Sequence, residues 1–134
     1  VGLKKIGYLE SAVSEIKELP TGFNVGYSNT YKTKKNTKIA VIPSGYMDGI
    51  NIANNRDMFR MVDKLRYIVR DIKDFFKKQA ICVKIKDKNF NVIGRIGTYH
   101  IICDISNTDI QIGDKVVINV NPKFVDSSIR REYR

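Results

Sequence analysis

"TKIAVIP", residues 37–43, is the stretch that decides the fold. This short run is almost continuously apolar and β-branched, which predicts a buried strand that ends at Pro43, because proline has no N–H for a sheet ladder. Turn chemistry follows in "SGYMDG", residues 44–49. Before it, "SAVSEIKELPTGFNVGY" mixes β-branched and polar residues around the Pro-Thr-Gly sequence at 20–22. That pattern indicates a strand, a turn and a second strand.

A different periodicity appears between Asn51 and Gln79. Apolar residues recur there at spacings of three and four, with basic residues at other angles, which predicts one long amphipathic helix at about 54–79 within an insertion at 51–80. The β pattern then returns: "ICVKIKDKNFNVIGRI" predicts a hairpin around an Asp-Lys-Asn turn, and "YHIICDIS" and "DKVVINV" predict further strands. The sequence therefore predicts a mainly β fold, a small β-barrel or sandwich, with one inserted helix.

Composition limits the functions to consider. The 134 residues suffice for one domain, and 24 Lys and Arg against 14 Asp and Glu give a net charge of +10. Such a charge makes a basic β-barrel that binds nucleic acid an alternative, but the lysines are scattered and no glycine-aromatic RNA-recognition signature accompanies them. No apolar run is long enough to span a membrane, and the first residues lack a secretory signal, so a cytoplasmic location is expected.

The reactive side chains predict no catalytic or metal site by themselves. Cys82 and Cys103 lack CxxC spacing and nearby histidine ligands, so two buried free thiols are expected and no metal. The single histidine, His100, has no evident triad partner, and no glycine-rich phosphate loop precedes the predicted helix. From these residues alone the chain is not predicted to be an enzyme.

Three sequence blocks in order carry a resemblance to a known family. "IKELPTGFNVGYSNTYKTKKNTKIAVIPSGYMDG" resembles the start of the C-terminal domain of alanine racemases. "VKIKDKNFNVIGRIGTYHIICDIS" is similar to that family's next block, a hairpin that runs into Val-Gly-Arg-x-Cys-Met-Asp. "IQIGDKVVI" corresponds to the family's Gly-Asp-x-Val strand. These blocks cover most of residues 9–120 outside the predicted helix.

The resemblance implies an assignment for the whole chain. Residues 1–134 would be the single C-terminal β-barrel domain of a two-domain, fold-type III enzyme that uses pyridoxal phosphate to interconvert L- and D-amino acids. In that family a lysine of an N-terminal (β/α)8 barrel binds the cofactor, so this chain is expected to bind none and to be inactive alone. The implied partners are that N-terminal domain, a second copy in a homodimer and an amino-acid substrate.

The same resemblance implies roles for particular residues. Tyr27 of "VGYSNTY" matches the family tyrosine that exchanges a proton at the substrate α-carbon from the opposite subunit, a reaction that needs acid-base groups on both faces. Tyr46 of "GYMDG" matches a tyrosine that lines the channel to the active site, where it can bind substrate. Arg95 of "IGRIG" matches an arginine of the same channel. The predicted site residues should therefore converge at one edge of the fold.

One departure from the family concerns the substrate. The family's Cys-Met-Asp is here Gly97-Thr98-Tyr99, and in the family the backbone N–H of the methionine helps to bind the substrate carboxylate. Thr98 keeps that role, because every residue except proline supplies an N–H. Its hydroxyl and Tyr99 change the substrate pocket. Serine therefore joins alanine as a candidate, and a divergent relative with another substrate or no racemase activity remains an alternative.

Overall fold

A computed structural model describes residues 7–26, 29–50 and 81–133. The helix predicted at about 54–79 and its insertion at 51–80 lie outside the described residues and stay a prediction. Short 3-10 turns occur at Tyr46–Asp48 and Pro122–Phe124, and no helix in the described ranges is both long and apolar enough to cross a membrane. The strands are β1 (Tyr8–Ala12), β2 (Glu15–Leu19), β3 (Asn24–Val25), β4 (Tyr31–Lys32), β5 (Thr37–Ile42), β6 (Cys82–Ile85), β7 (Lys88–Asn91), β8 (Ile101–Asp104) and β9 (Lys115–Asn119).

The strands form two larger antiparallel sheets and one small ribbon. The first sheet has the order β1-β9-β6-β7, the second has the order β2-β5-β8, and β3 pairs with β4 in a sheet of two strands. On one side the two larger sheets are joined by the chain itself. The Val13 N–H donates to the Asp114 carbonyl at 3.0 Å, and the next N–H, of Ser14, donates to the Val41 carbonyl at 2.9 Å. The chain therefore changes sheets between these two residues.

On the other side the sheets are joined much more weakly. An isolated bridge pairs Val92 with Cys103, and the Ile93 N–H donates to the Ile102 carbonyl at 2.8 Å. Gly94, with a φ of 70°, then turns the chain away, so the ladder extends no further along β8. The mainly β prediction is confirmed, but the predicted barrel is not closed.

The two larger sheets share one hydrophobic core. The predicted buried strand at 37–43 is confirmed as β5, in which Ile39, Ala40 and Ile42 are buried. Burying one such isoleucine contributes about 1.5–3 kcal/mol. The main cluster takes side chains from both sheets, and their packing holds the sheets together on the side where an isolated bridge joins them. The side chains are Leu9, Val83, Ile85, Val116 and Ile118 from the first sheet and Ala40, Ile42, Ile101 and Cys103 from the second.

Two local predictions are corrected. The β6–β7 hairpin turns at Lys86 and Asp87, with φ of 47° and 63°, and not at Asp-Lys-Asn. A two-residue hairpin loop with positive φ at both positions matches the twist of its strands. The expectation of two buried thiols is wrong for Cys82, which is exposed, whereas burial raises the pKa of Cys103 to about 12 and keeps it protonated.

Asp114 ties the hairpin turn to the loop before β9. Its carboxylate accepts the Gln111 N–H at 2.8 Å and lies 3.1 Å from the Lys86 ammonium. The backbone hydrogen bond from Gln111, and secondarily the charge of Lys86, lower the pKa of Asp114. The adjacent Gly113 N–H donates to the Val13 carbonyl at 2.8 Å, so this loop also fixes the point where the chain changes sheets.

Replacing Asp114 with asparagine should lower stability in a pH-dependent way. A carboxyl group whose pKa is lowered by folding stabilises the native state above its unfolded pKa, and this contribution is lost as the pH falls through the folded value. Urea midpoints of wild type and Asp114→Asn should therefore differ at pH 7 and converge in acid, once the folded carboxyl group is also protonated. Asp87→Asn, at an exposed ion pair with Lys84, serves as the control and should change little. A gap that persists unchanged in acid would contradict this account.

Candidate functional site

The loop between β7 and β8 forms the centre of the candidate site. The Gly97 N–H donates to the His100 carbonyl at 2.9 Å, which brings together the two ends of a tight turn over residues 97–100. Thr98 and Tyr99 occupy the tip of this turn, where both are exposed and the tyrosine retains 68% of its accessible surface. The turn therefore exposes the hydroxyl group of Thr98 and the phenol of Tyr99 at the surface.

The "GYMDG" turn docks on this loop through the backbone. The Tyr46 N–H donates to the Gly97 carbonyl at 2.9 Å, and the Met47 N–H donates to the Thr98 carbonyl at 3.0 Å. A β-carbon on Gly45 would overlap the Gly97 carbonyl oxygen and lie 2.5 Å from the Thr98 carbonyl oxygen. The two segments can approach this closely because residue 45 has no side chain.

The turn has its own supports as well. The Asp48 carboxylate accepts the Gly45 N–H at 2.7 Å, and Gly49 ends the 3-10 turn with a φ of 87°. A β-carbon on Gly49 would lie 2.5 Å from the Phe124 carbonyl oxygen, so the segment after β9 packs against the other side of the turn. Held in this way, the turn leaves the Tyr46 side chain 55% exposed.

A third segment reaches the same loop at Gly26, just after β3. Gly26 and Gly94 both have positive φ, at 81° and 70°. A β-carbon on Gly26 would lie 3.1 Å from the Arg95 nitrogen, and one on Gly94 would lie 2.9 Å from the Val25 carbonyl oxygen. The two glycines thus permit a backbone contact between the β3–β4 ribbon and the β7–β8 loop. We call the assembly of Gly26, residues 45–49 and residues 94–100 the rim.

The rim contains most of the side chains predicted from the sequence. The backbone of Tyr46 bonds to Gly97, next to Thr98. Tyr99 lies at the same turn tip, and the Arg95 backbone lies against Gly26. Tyr27 lies outside the described residues, and its role stays a prediction, as do the roles of the other four. Sequence reasoning missed the contact glycines Gly45 and Gly94, for which the only available signal was their place in "SGYMDG" and "VIGRI".

The rim carries hydroxyl groups, one guanidinium, one carboxylate and one imidazole. The described part of the rim contains Asp48, Arg95 and His100 as charged or titratable groups besides its two phenols, and it contains no lysine. Across the described ranges, no three histidine, cysteine, aspartate or glutamate side chains are grouped as a metal site would need. The side chains of the rim can therefore form hydrogen bonds and ion pairs with a polar ligand.

Replacing Gly45 with alanine should disrupt the docking of the turn. Gly45 has an extended backbone, with a φ of −145°, so the added methyl group causes no backbone strain but collides with two carbonyl groups. We expect a loss of about 2 kcal/mol in the free energy of unfolding, typical of overpacking, and faster hydrogen exchange at the Tyr46 and Met47 amides.

The matched control for this substitution is Tyr46→Ala. The docking hydrogen bonds use the backbone of Tyr46 and its side chain is exposed, so this change should alter stability by about 0.5 kcal/mol or less. Equal losses for Gly45→Ala and Tyr46→Ala would show that the backbone contact is not what holds the turn.

Comparison with known proteins agrees with the sequence blocks. The family described as "Alanine racemase, C-terminal domain" matches residues 6–129. The alanine racemase of Aquifex aeolicus (strain VF5) is 29% identical over 132 residues, which is 98% of this chain and 32% of that protein. The alanine racemase of Clostridium perfringens (strain SM101 / Type A) is 31% identical over 117 residues, 87% of this chain and 24% of that protein.

A solved structure shares the fold. Alanine racemase from Clostridium difficile 630, in complex with cycloserine, superposes with a TM-score of 0.60 at 26% identity and covers 88% of this chain and 25% of that chain. The chain thus spans less than two thirds of these relatives. Since the family match extends over nearly the whole sequence and the fold agrees, the chain belongs to the alanine racemase C-terminal domain family.

Proposed function

We propose that this chain is the C-terminal domain of an amino-acid racemase that depends on pyridoxal phosphate. The observation that carries the proposal is the family match over residues 6–129. In the full-length enzyme the domain acts with an N-terminal cofactor-binding domain and with a second copy of the protein, and alone it is inactive. The fold likeness to alanine racemase at a TM-score of 0.60 supports the same assignment.

The residues of the rim are compatible with a cofactor that another domain binds. Pyridoxal phosphate, when bound, supplies an electron sink that makes the α-hydrogen of an amino acid acidic enough to remove. Holding it through its aldehyde requires a lysine amine, and the described rim residues include none. As the resemblance to the alanine racemase family implies, the cofactor lysine would come from the N-terminal domain, and the rim would supply groups around the substrate.

Tyr27 is the proposed acid-base residue of this domain. Inversion at the α-carbon requires a proton to leave one face and another to arrive on the opposite face, so two groups on opposite sides are needed. A phenol, with an unperturbed pKa of about 10, becomes a useful base only near positive charge. Tyr27 follows Gly26 in sequence, and Gly26 contacts the Arg95 backbone at the rim.

The turn at 97–100 is proposed to bind the substrate. The hydrogen bonds of the described residues use the Thr98 carbonyl but not the Thr98 N–H, which leaves that N–H for a substrate carboxylate. The exposed side chains of Tyr46 and Tyr99 lie around the same turn and would bound the substrate pocket. Arg95 would line the channel that leads to it.

Tyr27→Phe tests the acid-base role directly. In the full-length protein with pyridoxal phosphate, α-proton exchange of L-alanine and L-serine in D₂O should slow by about 10²- to 10⁴-fold, the usual contribution of a general acid-base group. Mass spectrometry and chiral chromatography would measure exchange and racemisation together.

Tyr31→Phe is the matched control for Tyr27→Phe. Tyr31 packs against a small apolar cluster at the β3–β4 ribbon, and removal of its hydroxyl group should leave racemisation within about twofold of wild type. If wild type exchanges no amino acid although the cofactor is bound, the chain is a divergent relative without racemase activity. If Tyr27→Phe retains full activity, the acid-base assignment is wrong.

Thr98→Val tests the substrate preference. Valine keeps the shape and the backbone N–H of Thr98 but removes the hydroxyl group that could pair with a serine side chain. Loss of one such hydrogen bond, worth about 1 kcal/mol, should lower kcat/KM for serine relative to alanine by roughly three- to tenfold. An unchanged ratio would exclude Thr98 from substrate selection.

A further inference from the structure

The backbone of the turn at residues 97–100 offers hydrogen-bond donors. The carbonyl groups of Gly97 and Thr98 accept the two N–H groups of the docked "GYMDG" turn, and the His100 carbonyl accepts the Gly97 N–H at 2.9 Å. The N–H groups of Thr98 and Tyr99, by contrast, donate to no other group in the part of the chain that the structure describes. Since an ionised carboxylate only accepts hydrogen bonds, the tip of this turn is suited to bind one.

The imidazole of His100 lies against the same turn. A β-carbon on Gly97 would lie 2.9 Å from the imidazole Cε1 and 3.1 Å from its Nδ1. The ring therefore lies beside the place where a side chain at position 97 would begin. It can do so because residue 97 is glycine, and the cysteine of the family pattern at this position would require the ring to move.

The ring nitrogens of His100 are available to a ligand. The residue is exposed, and its imidazole forms no hydrogen bond or ion pair with another group in the described ranges 7–26, 29–50 and 81–133. A neutral imidazole has one N–H donor, and an imidazolium has two. Because Gly97 is bonded to the nitrogen of Thr98, the imidazole and the Thr98 N–H lie at neighbouring residues of one turn.

From this arrangement we infer that His100 is a substrate-binding residue, which acts with the Thr98 N–H on the substrate carboxylate. A carboxylate has two oxygen atoms, so it can accept one hydrogen bond from the backbone and a second from the imidazole. The inference rests on the proposed function, which places an amino-acid carboxylate at this turn. Every amino acid carries that carboxylate, so loss of the imidazole should weaken the binding of alanine and serine alike.

A purely structural role for the ring predicts something different. An aromatic side chain can stabilise a β-structure by covering a glycine on the facing strand, and the His100 ring lies against Gly97 in a comparable way. If covering is its whole role, His100→Phe should be harmless, because phenylalanine keeps a flat ring. If the nitrogens bind the substrate, His100→Gln should be the better replacement, because glutamine keeps an N–H donor.

The kinetic test uses the full-length protein with pyridoxal phosphate and compares His100→Phe, His100→Gln and Tyr8→Phe. His100→Phe should raise KM for both alanine and serine by roughly 10- to 100-fold, the effect of one lost hydrogen bond to a charged group, with kcat within about threefold. His100→Gln should return KM to within about threefold of wild type. Tyr8 is the matched control, an exposed aromatic residue on β1 outside the rim, and Tyr8→Phe should change neither constant by more than about twofold.

Propionate, which is alanine without its amino group, tests the contact without catalysis. Its dissociation constant, measured by titration calorimetry on the same full-length proteins, should rise by roughly 10- to 100-fold in His100→Phe and by less than about twofold in Tyr8→Phe. Hydrogen exchange at the Tyr46 and Met47 amides should be the same in His100→Phe and wild type, which would show that the docked turn is intact.

The outcomes separate this inference from the proposed function. If wild type racemises alanine while His100→Phe leaves KM and propionate binding unchanged, the binding role of His100 is excluded and the proposed function stands. A fall in kcat at unchanged KM would also exclude it. If wild type racemises no amino acid, the proposed function fails. Propionate binding that depends on His100 would then still support a carboxylate site at the turn, and equal binding by wild type and His100→Phe would overturn that site too.

Discussion

The change of sheet between Val13 and Ser14 is the constraint on which the fold depends. Two consecutive N–H groups donate to carbonyl groups in different sheets, those of Asp114 and Val41. Because backbone groups in a buried strand must find partners, these two hydrogen bonds make the chain around Val13 and Ser14 part of both sheets. The sheets can then cover one shared core, although on their other side the described residues join them only at the Val92–Cys103 bridge. An open side of this kind gives the β7–β8 loop the freedom to turn away at Gly94 and build the rim.

Backbone contacts, more than side chains, hold the rim together. The docking of the "GYMDG" turn uses two N–H groups and two carbonyl groups, and both close approaches to the loop, at Gly45 and Gly94, depend on the absence of a side chain. The side chain of Asp48, which does support the rim, also bonds to a backbone group. The backbone groups that hold the rim together and the exposed functional groups are therefore separate sets of atoms. The exposed groups can change without disturbing the backbone contacts.

Local pattern was sufficient to predict some elements and not others. The apolar run of β5 and the strands at "YHIICDIS" and "DKVVINV" follow from residue type alone, because the apolar and β-branched pattern that predicts them is local in sequence. The change of sheet could not be predicted, since its partners, Asp114 and Val41, are far from Val13 in sequence. The hairpin turn was misplaced for a similar reason. Lys86 has no intrinsic preference for positive φ, and its contact with Asp114 is formed only in the folded chain.

The candidate site could be predicted only in part, and there is a physical reason why some of its residues were found and others were not. Motif resemblance singled out Tyr46 from one block and Arg95 and Thr98 from another, and the described fold brings their backbones into one rim. What resemblance could not supply is the means of assembly, because a glycine that permits a contact looks in sequence like any other turn glycine. The Gly97-Thr98-Tyr99 departure from the family pattern illustrates the consequence. Docking at this turn uses the carbonyl groups of Gly97 and Thr98, which every residue type possesses, so the exposed side chains at positions 98 and 99 are free to differ from the family's. A change at these positions therefore alters which ligand the rim can recognise, while the backbone contacts that hold the rim together stay in place.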